Sequence, residues 1–278
     1  MRTADILGVD TVRFIEPDFA ALTDSRFNGV LAATKSDEGR LLLDEHEEPI
    51  ALSFHGSDGW LAASFLCRNP SVALIDLFES VNGEIFQEGR AVWAGAVREY
   101  FSNALVTTAQ PSMDDLNPRR QGILKDLIDG IWGVSEGEVC IDCCCGSGVG
   151  SAVLRELGYS PLSYDNDEFL LSRGLFEKRL RPEETMWIDA RIASRYLQHE
   201  PKGIAIMAGE FNSFNQDMWE RILGELCSIT RATLITTGTE KEAGLVREWG
   251  TSWGRTVSLQ ENPADPLYDR WVCHIMTP

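Results

Sequence analysis

Val139-Cys140-Ile141-Asp142-Cys143-Cys144-Cys145-Gly146-Ser147-Gly148-Val149-Gly150 is the stretch that decides how this chain is read. Val139 to Ile141 end a short apolar run with strand character, Asp142 closes it, and a turn of small residues follows. From Ser151 to Leu157 the apolar residues Ala152, Val153, Leu154 and Leu157 recur at helical spacing. Strand, glycine turn and helix in that order allow backbone N–H groups and a helix N-terminus to face a ligand. Glycine suits such a turn because a side chain would block close approach and because positive φ costs it little.

The next acid and its distance carry more than the turn itself. Past the helix, Ser160-Pro161-Leu162-Ser163-Tyr164 reads as a second strand, followed by Asp165 and Asn166. An acid at the end of the second strand, about 20 residues past the glycines, is placed for the two hydroxyls of a ribose. Dinucleotides and S-adenosylmethionine both present such a ribose. The dinucleotide fingerprint G-x-G-x-x-G wants glycine where Ser151 stands. Here Asp142 stands at the strand end and G-x-G-x-G follows. That pattern resembles motif I of the class I S-adenosylmethionine-dependent methyltransferases, D-x-G-x-G-x-G, with Cys144 where the first glycine usually stands. The form D-x-x-C-G-S-G looks like the one in RNA and DNA base methyltransferases. The resemblance spans residues 117–278 and implies an α/β fold, a Rossmann-like seven-stranded sheet. It also implies S-adenosylmethionine as cofactor, with Asp142, Cys144, Gly146, Gly148, Asp165 and Asn166 on the cofactor side.

Further strands fit the same plan. A helix over 169–180 leads to a third strand, Thr185 to Ile188, and then to Asp189-Ala190. In the family an Asp at this point accepts a hydrogen bond from the adenine amino group, which makes Asp189 and Ala190 cofactor-binding candidates. From the residues alone, Asp189 serves equally as N-cap of a helix over 191–198. The fourth strand, Gly203 to Ala208, ends in Gly209-Glu210-Phe211-Asn212, where base methyltransferases carry [DNS]-P-P-[YFW]. This chain has no proline there. Residues after strand ends line the crevice of an open sheet, so Gly209 is assigned to the cofactor side. Glu210 and Asn212 are the catalytic candidates, Glu210 as a general base or an acceptor for a substrate amine. Equally, Glu210 reads as a cap for the helix 217–227. A fifth strand (232–237), a helix (241–249) and strands at 256–259 and 271–276 follow. The loop between the last two is too short for a crossover helix, so they are expected to pair antiparallel, a mark of the class I methyltransferase sheet. Ahead of the motif, Asn117-Pro118 opens an amphipathic helix with Ile123, Leu124, Leu127, Ile128 and Ile131 on one face, ended by Gly133. Pro118-Arg119 resembles the equivalent stretch in archaeal tRNA guanine N2-methyltransferases.

Residues 1–110 read as a separate small α+β domain, and 111–278 as the cofactor-binding domain. Three strands are expected at 27–33, 39–44 and 49–54, then helical segments at 60–66, 72–77 and 91–101. Residues 1–105 hold 17 acids and 8 bases, a net of −9. Substrate selection, homodimerisation or a lid are the roles expected of this part. The linker that follows contains Pro111, Ser112 and the acid pair Asp114-Asp115.

Composition bounds the function. The net charge of −18 and a basic set of 25 with only five lysines disfavour a nucleic-acid partner held over a wide surface. The first residues, Met1 to Asp5, show no basic segment before an apolar core, and no apolar run reaches bilayer length. The expectation is a cytoplasmic protein with no membrane partner. Cys140-x-x-Cys143 has no second C-x-x-C to complete a zinc site, so no metal is expected. The resulting expectation is methyl transfer to a small-molecule or protein acceptor. Its alternatives are an RNA guanine methyltransferase with an unusual acceptor motif and a silent cofactor-binding scaffold.

Overall fold

The structure is a computed structural model that describes residues 2–114 and 116–277. Asp115, half of the expected acid pair, and Met1 lie outside the described residues. The chain divides into two compact units, one ending at Ala104 and the other beginning at Leu105. The division falls inside a helix; the sequence reading put it at residue 110.

The first unit holds α1 (Arg2–Ile6), β1 (Val12–Phe14), α2 (Arg26–Ala32), β2 (Glu38–Leu43), β3 (Pro49–Gly56), β4 (Gly59–Ser64), α3 (Val72–Ser80), β5 (Glu84–Gln87) and most of α4 (Arg90–Thr108). Its sheet runs β1-β4-β3-β2-β5, antiparallel at the centre and parallel at both edges. Two expectations are corrected here. Residues 27–33 are helical: in α2 only Asn28 and Leu31 are buried, one turn apart, while Val30 is exposed. Residues 60–64 are a strand paired with β3 across a two-residue turn, Gly56 facing Gly59. β4 is an inner strand, so Ala62, Ala63 and Ser64 are buried in succession and no alternation marks it. Leu31, Leu52, Phe54 and Phe78 pack on one face. On the other, Trp93 of α4 donates its indole N–H to Ser64 Oγ at 3.2 Å and lies 6.0 Å from the Phe14 ring.

The second unit holds α5 (Pro118–Trp132), β6 (Val139–Cys143), α6 (Val149–Glu156), β7 (Ser160–Asp165), α7 (Glu168–Phe176), β8 (Thr185–Trp187), β9 (Glu200–Ala205), α8 (Gln216–Ser228), β10 (Thr230–Thr237), α9 (Glu240–Ser252), β11 (Thr256–Glu261) and β12 (Trp271–Met276). The strand order is β11-β12-β10-β9-β6-β7-β8, with β12 antiparallel to both neighbours and the rest parallel. This is the Rossmann-like seven-stranded sheet, closing hairpin included. Asn117 caps α5 through its side chain, Pro118 opens it, and Gly133 ends it at φ 73°. Leu124, Ile128, Val153 and Leu154 of α5 and α6 cover one face over Cys140, Ile204 and Leu234. Residues 191–198 are not an α-helix; a kinked 3-10 segment, Ala190–Arg195, stands there. Among the described residues no helix is long and apolar enough to cross a membrane.

Candidate functional site

β6 leads through α6 to β7 on one side, whereas β9 lies on the other side of β6. At such a switch of direction the connections diverge and leave a crevice at the carboxyl ends of the strands. The glycine turn occupies that crevice. Gly146 N–H donates to Asp165 Oδ2 at 2.8 Å, and Asp167 N–H donates to Oδ1 at 2.9 Å. Each carboxylate oxygen keeps lone pairs beyond these bonds. Asp165 is buried, and desolvation raises its pKa from the ordinary value against the pull of those N–H groups. Beside Gly146, at φ 52°, an added Cβ would meet only Leu170, at 3.9 Å, so the backbone there borders open space. Cys144 adopts φ 53°, the conformation for which glycine is usual. Asn166 is exposed and its carbonyl accepts from the Trp187 indole at 3.1 Å.

Asp142, at the end of the neighbouring strand, is held by the helix that follows the turn. It is 1 % exposed and lies under the first turn of α6, where Ser151 Oγ sits 2.6 Å from Oδ2 and the Ser151 N–H also donates to it. A Cβ on Gly150 would come within 2.9 Å of that carboxylate, so glycine is needed for the helix to approach. Burial pushes the Asp142 carboxyl up to about 7. Gly148, at φ 83°, is likewise a packing glycine, because its Cβ would strike Leu180 at 2.6 Å. Asp189 accepts from the Arg191 N–H at 2.9 Å and forms an ion pair with its guanidinium at 2.6 Å; Ala190 beside it is buried. Asp189 thus caps the 3-10 segment Ala190–Arg195, in place of the expected helix 191–198.

The loop after β9 makes the second half. Glu210 is exposed, and its carbonyl accepts from Asn215 Nδ2 at 2.8 Å. Asn212 shapes the turn by accepting from the Phe214 N–H at 2.9 Å. Gly209 is close-packed: a Cβ there would meet Glu242 Oε1 at 2.7 Å. The same Oε1 takes the Phe211 N–H at 3.0 Å, while Oε2 takes the Thr239 N–H and hydroxyl at 3.1 and 2.7 Å. Residues 207–211, 238, 239, 241, 242, 267 and 268 line an open cavity of about 560 Å³ at the ends of β9 and β10. Behind it runs a chain of bonds. Met207 N–H donates to Thr236 Oγ1 (2.7 Å), whose hydroxyl donates to Asp269 Oδ1 (2.6 Å), and Arg120 Nε donates to Asp269 Oδ2 (2.8 Å).

Thr239, Glu242, Tyr268, Asp269 and Arg120 escaped the sequence reading. Only Thr239-x-x-Glu242 left a local signal, the capping box it forms at the start of α9. Among the described residues the one group able to converge on an ion is Asp37, Glu38 and His55, in the first unit. Burial pushes the Cys140 and Cys145 thiols well up, and contact with Cys143 together with burial does the same to Cys144.

No family model matches the sequence, and no curated protein matches it. Solved structures do resemble it in fold. Magnesium protoporphyrin IX methyltransferase from Synechocystis PCC 6803, with bound S-adenosylmethionine, is 13% identical; 66% of this chain and 97% of that one align at a TM-score of 0.47. The ΔN METTL16 methyltransferase domain is 10% identical, with 68% and 97% covered and a TM-score of 0.48. A precorrin-6y C5,15-methyltransferase from Geobacter metallireducens GS-15 is 11% identical, with 61% and 94% covered and a TM-score of 0.44.

Proposed function

We propose that this chain is an S-adenosylmethionine-dependent methyltransferase whose acceptor is a small molecule or a protein side chain. The observation that carries the reading is the buried Asp165 carboxylate. It ends β7 at the switch of the sheet, is held by the Gly146 N–H, and has lone pairs to spare. The residues fit the cofactor at its ribose end. Asp165 would take the ribose hydroxyls, Gly146 leaves room for close approach, and Asn166 with Asp189-Ala190 would border the adenine. When bound, the cofactor supplies a methyl group on a sulfonium sulfur.

The chain's own contribution is to position the acceptor atom and take its proton. Glu210 is the candidate base, carried on a loop whose shape Asn212, Asn215 and Glu242 set. The absent proline pair and the net charge of −18 both argue against a flipped base as acceptor. The part up to residue 110 is assigned to acceptor selection or homodimerisation.

The test is transfer of labelled methyl from S-adenosylmethionine to RNA, protein extract and metabolite pools. Label is expected in protein or metabolites, and Glu210→Gln should lower turnover by about 10²-fold or more, as for a lost general base. Label in RNA alone would overturn the acceptor assignment.

A further inference from the structure

The cavity at the ends of β9 and β10 carries more chemistry than a proton acceptor needs. Its volume of about 560 Å³ is that of a small-molecule site. Phe211 stands in the lining, fixed by Trp219 and Trp249 with ring centroids 5.5 and 5.4 Å away. Tyr268 is the other aromatic of the lining, and the Arg120 guanidinium lies 5.4 Å from its ring centroid. Met207 and Leu267 add exposed apolar surface at 47% and 69%.

Three charged side chains belong to the lining. Glu242 is committed to the Phe211 N–H and to Thr239. Glu210 and Lys241 are exposed, and among the described residues neither side chain makes an ion pair. The Arg120 charge beside Tyr268 is offset by its ion pair with Asp269, so the lining carries two carboxylates against one ammonium, in a chain of net charge −18, and the potential favours a cation. Aromatic faces favour a cation as well.

The geometry points to a ligand class for this cavity: a flat, largely apolar molecule bearing a cationic amine. Its ring lies beside Phe211 and Tyr268 and its ammonium meets Glu210. That this ligand is the methyl acceptor rests on the function proposed above; that the cavity binds it does not.

Calorimetry on the full-length protein with tryptamine and indole-3-acetate tests the idea, since the two share a ring and differ in charge. Saturable tryptamine binding with a Kd below about 1 mM is expected, with none for the acid. Glu210→Gln should weaken it by tenfold or more and Tyr268→Ala by a similar factor. Lys241→Gln should tighten it a few-fold, by removing a like charge. Binding of the acid instead of the amine, absence of saturable amine binding, or indifference to the Glu210 and Tyr268 changes overturns the inference. Cofactor affinity is measured on the same preparations. Amine binding lost with cofactor binding intact sinks this inference alone. Cofactor binding absent with amine binding intact sinks the methyltransferase and leaves the amine site standing.

Discussion

Replacing Asp142 by Asn should make the protein's stability less dependent on pH. The carboxyl is fully buried and its pKa is raised from 3.8 to about 7, chiefly by desolvation, with the Ser151 bonds pulling the other way. The folded protein thus binds a proton that the unfolded chain has already released, over the window from about pH 4 to pH 7. Stability from this group is fully present below the unfolded pKa and is lost as pH rises through the folded one. One pKa unit corresponds to about 1.4 kcal/mol, so between pH 5 and pH 7 the loss is about 2.7 kcal/mol at most. Asn reproduces the neutral form: its amide can donate to Ser151 Oγ, which lies 2.6 Å from Ser163 Oγ and can donate onward. Urea denaturation of both proteins at pH 5, 6, 7 and 8 is the assay. Asp165, Glu184 and Glu16 are raised in the same direction, so the wild type carries their slope too, and the difference between proteins isolates Asp142. Parallel profiles, or an Asn variant less stable at pH 8 than the wild type, would refute the reasoning.

Three further outcomes are expected. Asp269→Ala strips two charge-assisted bonds from Arg120 and one from the buried Thr236 hydroxyl. It should cost about 3 kcal/mol by chemical denaturation, the low end for a broken buried pair because Arg120 keeps some exposure. Cys144→Gly relieves a left-handed residue at φ 53° and should raise stability by about 1 kcal/mol in the same assay. Gly148→Ala meets both φ 83° and Leu180, so it should lower the melting temperature clearly, whereas alanine at the open Gly130 in α5 should not.

Much of the second unit was legible because β6, β10 and β12 carry runs of apolar and β-branched residues, and because the short 262–270 loop forces the last two strands to pair; β9 runs over Glu200–Ala205 and not the expected 203–208 because it starts in the polar Glu200-Pro201-Lys202. The first unit was legible only in part: β2, β3, α3 and α4 stand at the expected strands 39–44 and 49–54 and helical segments 72–77 and 91–101, whereas α2 and β4 do not match. An inner strand such as β4, buried on both faces, shows no alternation. α2, with its Phe, Val and Leu, carries strand-forming residues on a helix that buries only one narrow stripe. Asp165 ends β7, as the apolar run before it implies, and the Gly146 turn lies against it. The burial of Asp142 under α6 depends on Gly150 and Ser151, a tertiary contact that the motif alone does not specify. The cavity was invisible because its walls come from residues 207–211, 238, 239, 241, 242, 267 and 268, which only the order β12-β10-β9 brings together.

The central claim is that the Gly146–Asp165 crevice holds S-adenosylmethionine. Titration calorimetry of the full-length protein with S-adenosylmethionine, beside Asp165→Ala with its fold checked by circular dichroism, tests it directly. Saturable one-to-one binding is predicted, weakened in the variant by about 1.5–3 kcal/mol, the worth of hydrogen bonds to a charged group. No binding to the wild type, or equal affinity in the folded variant, would contradict it.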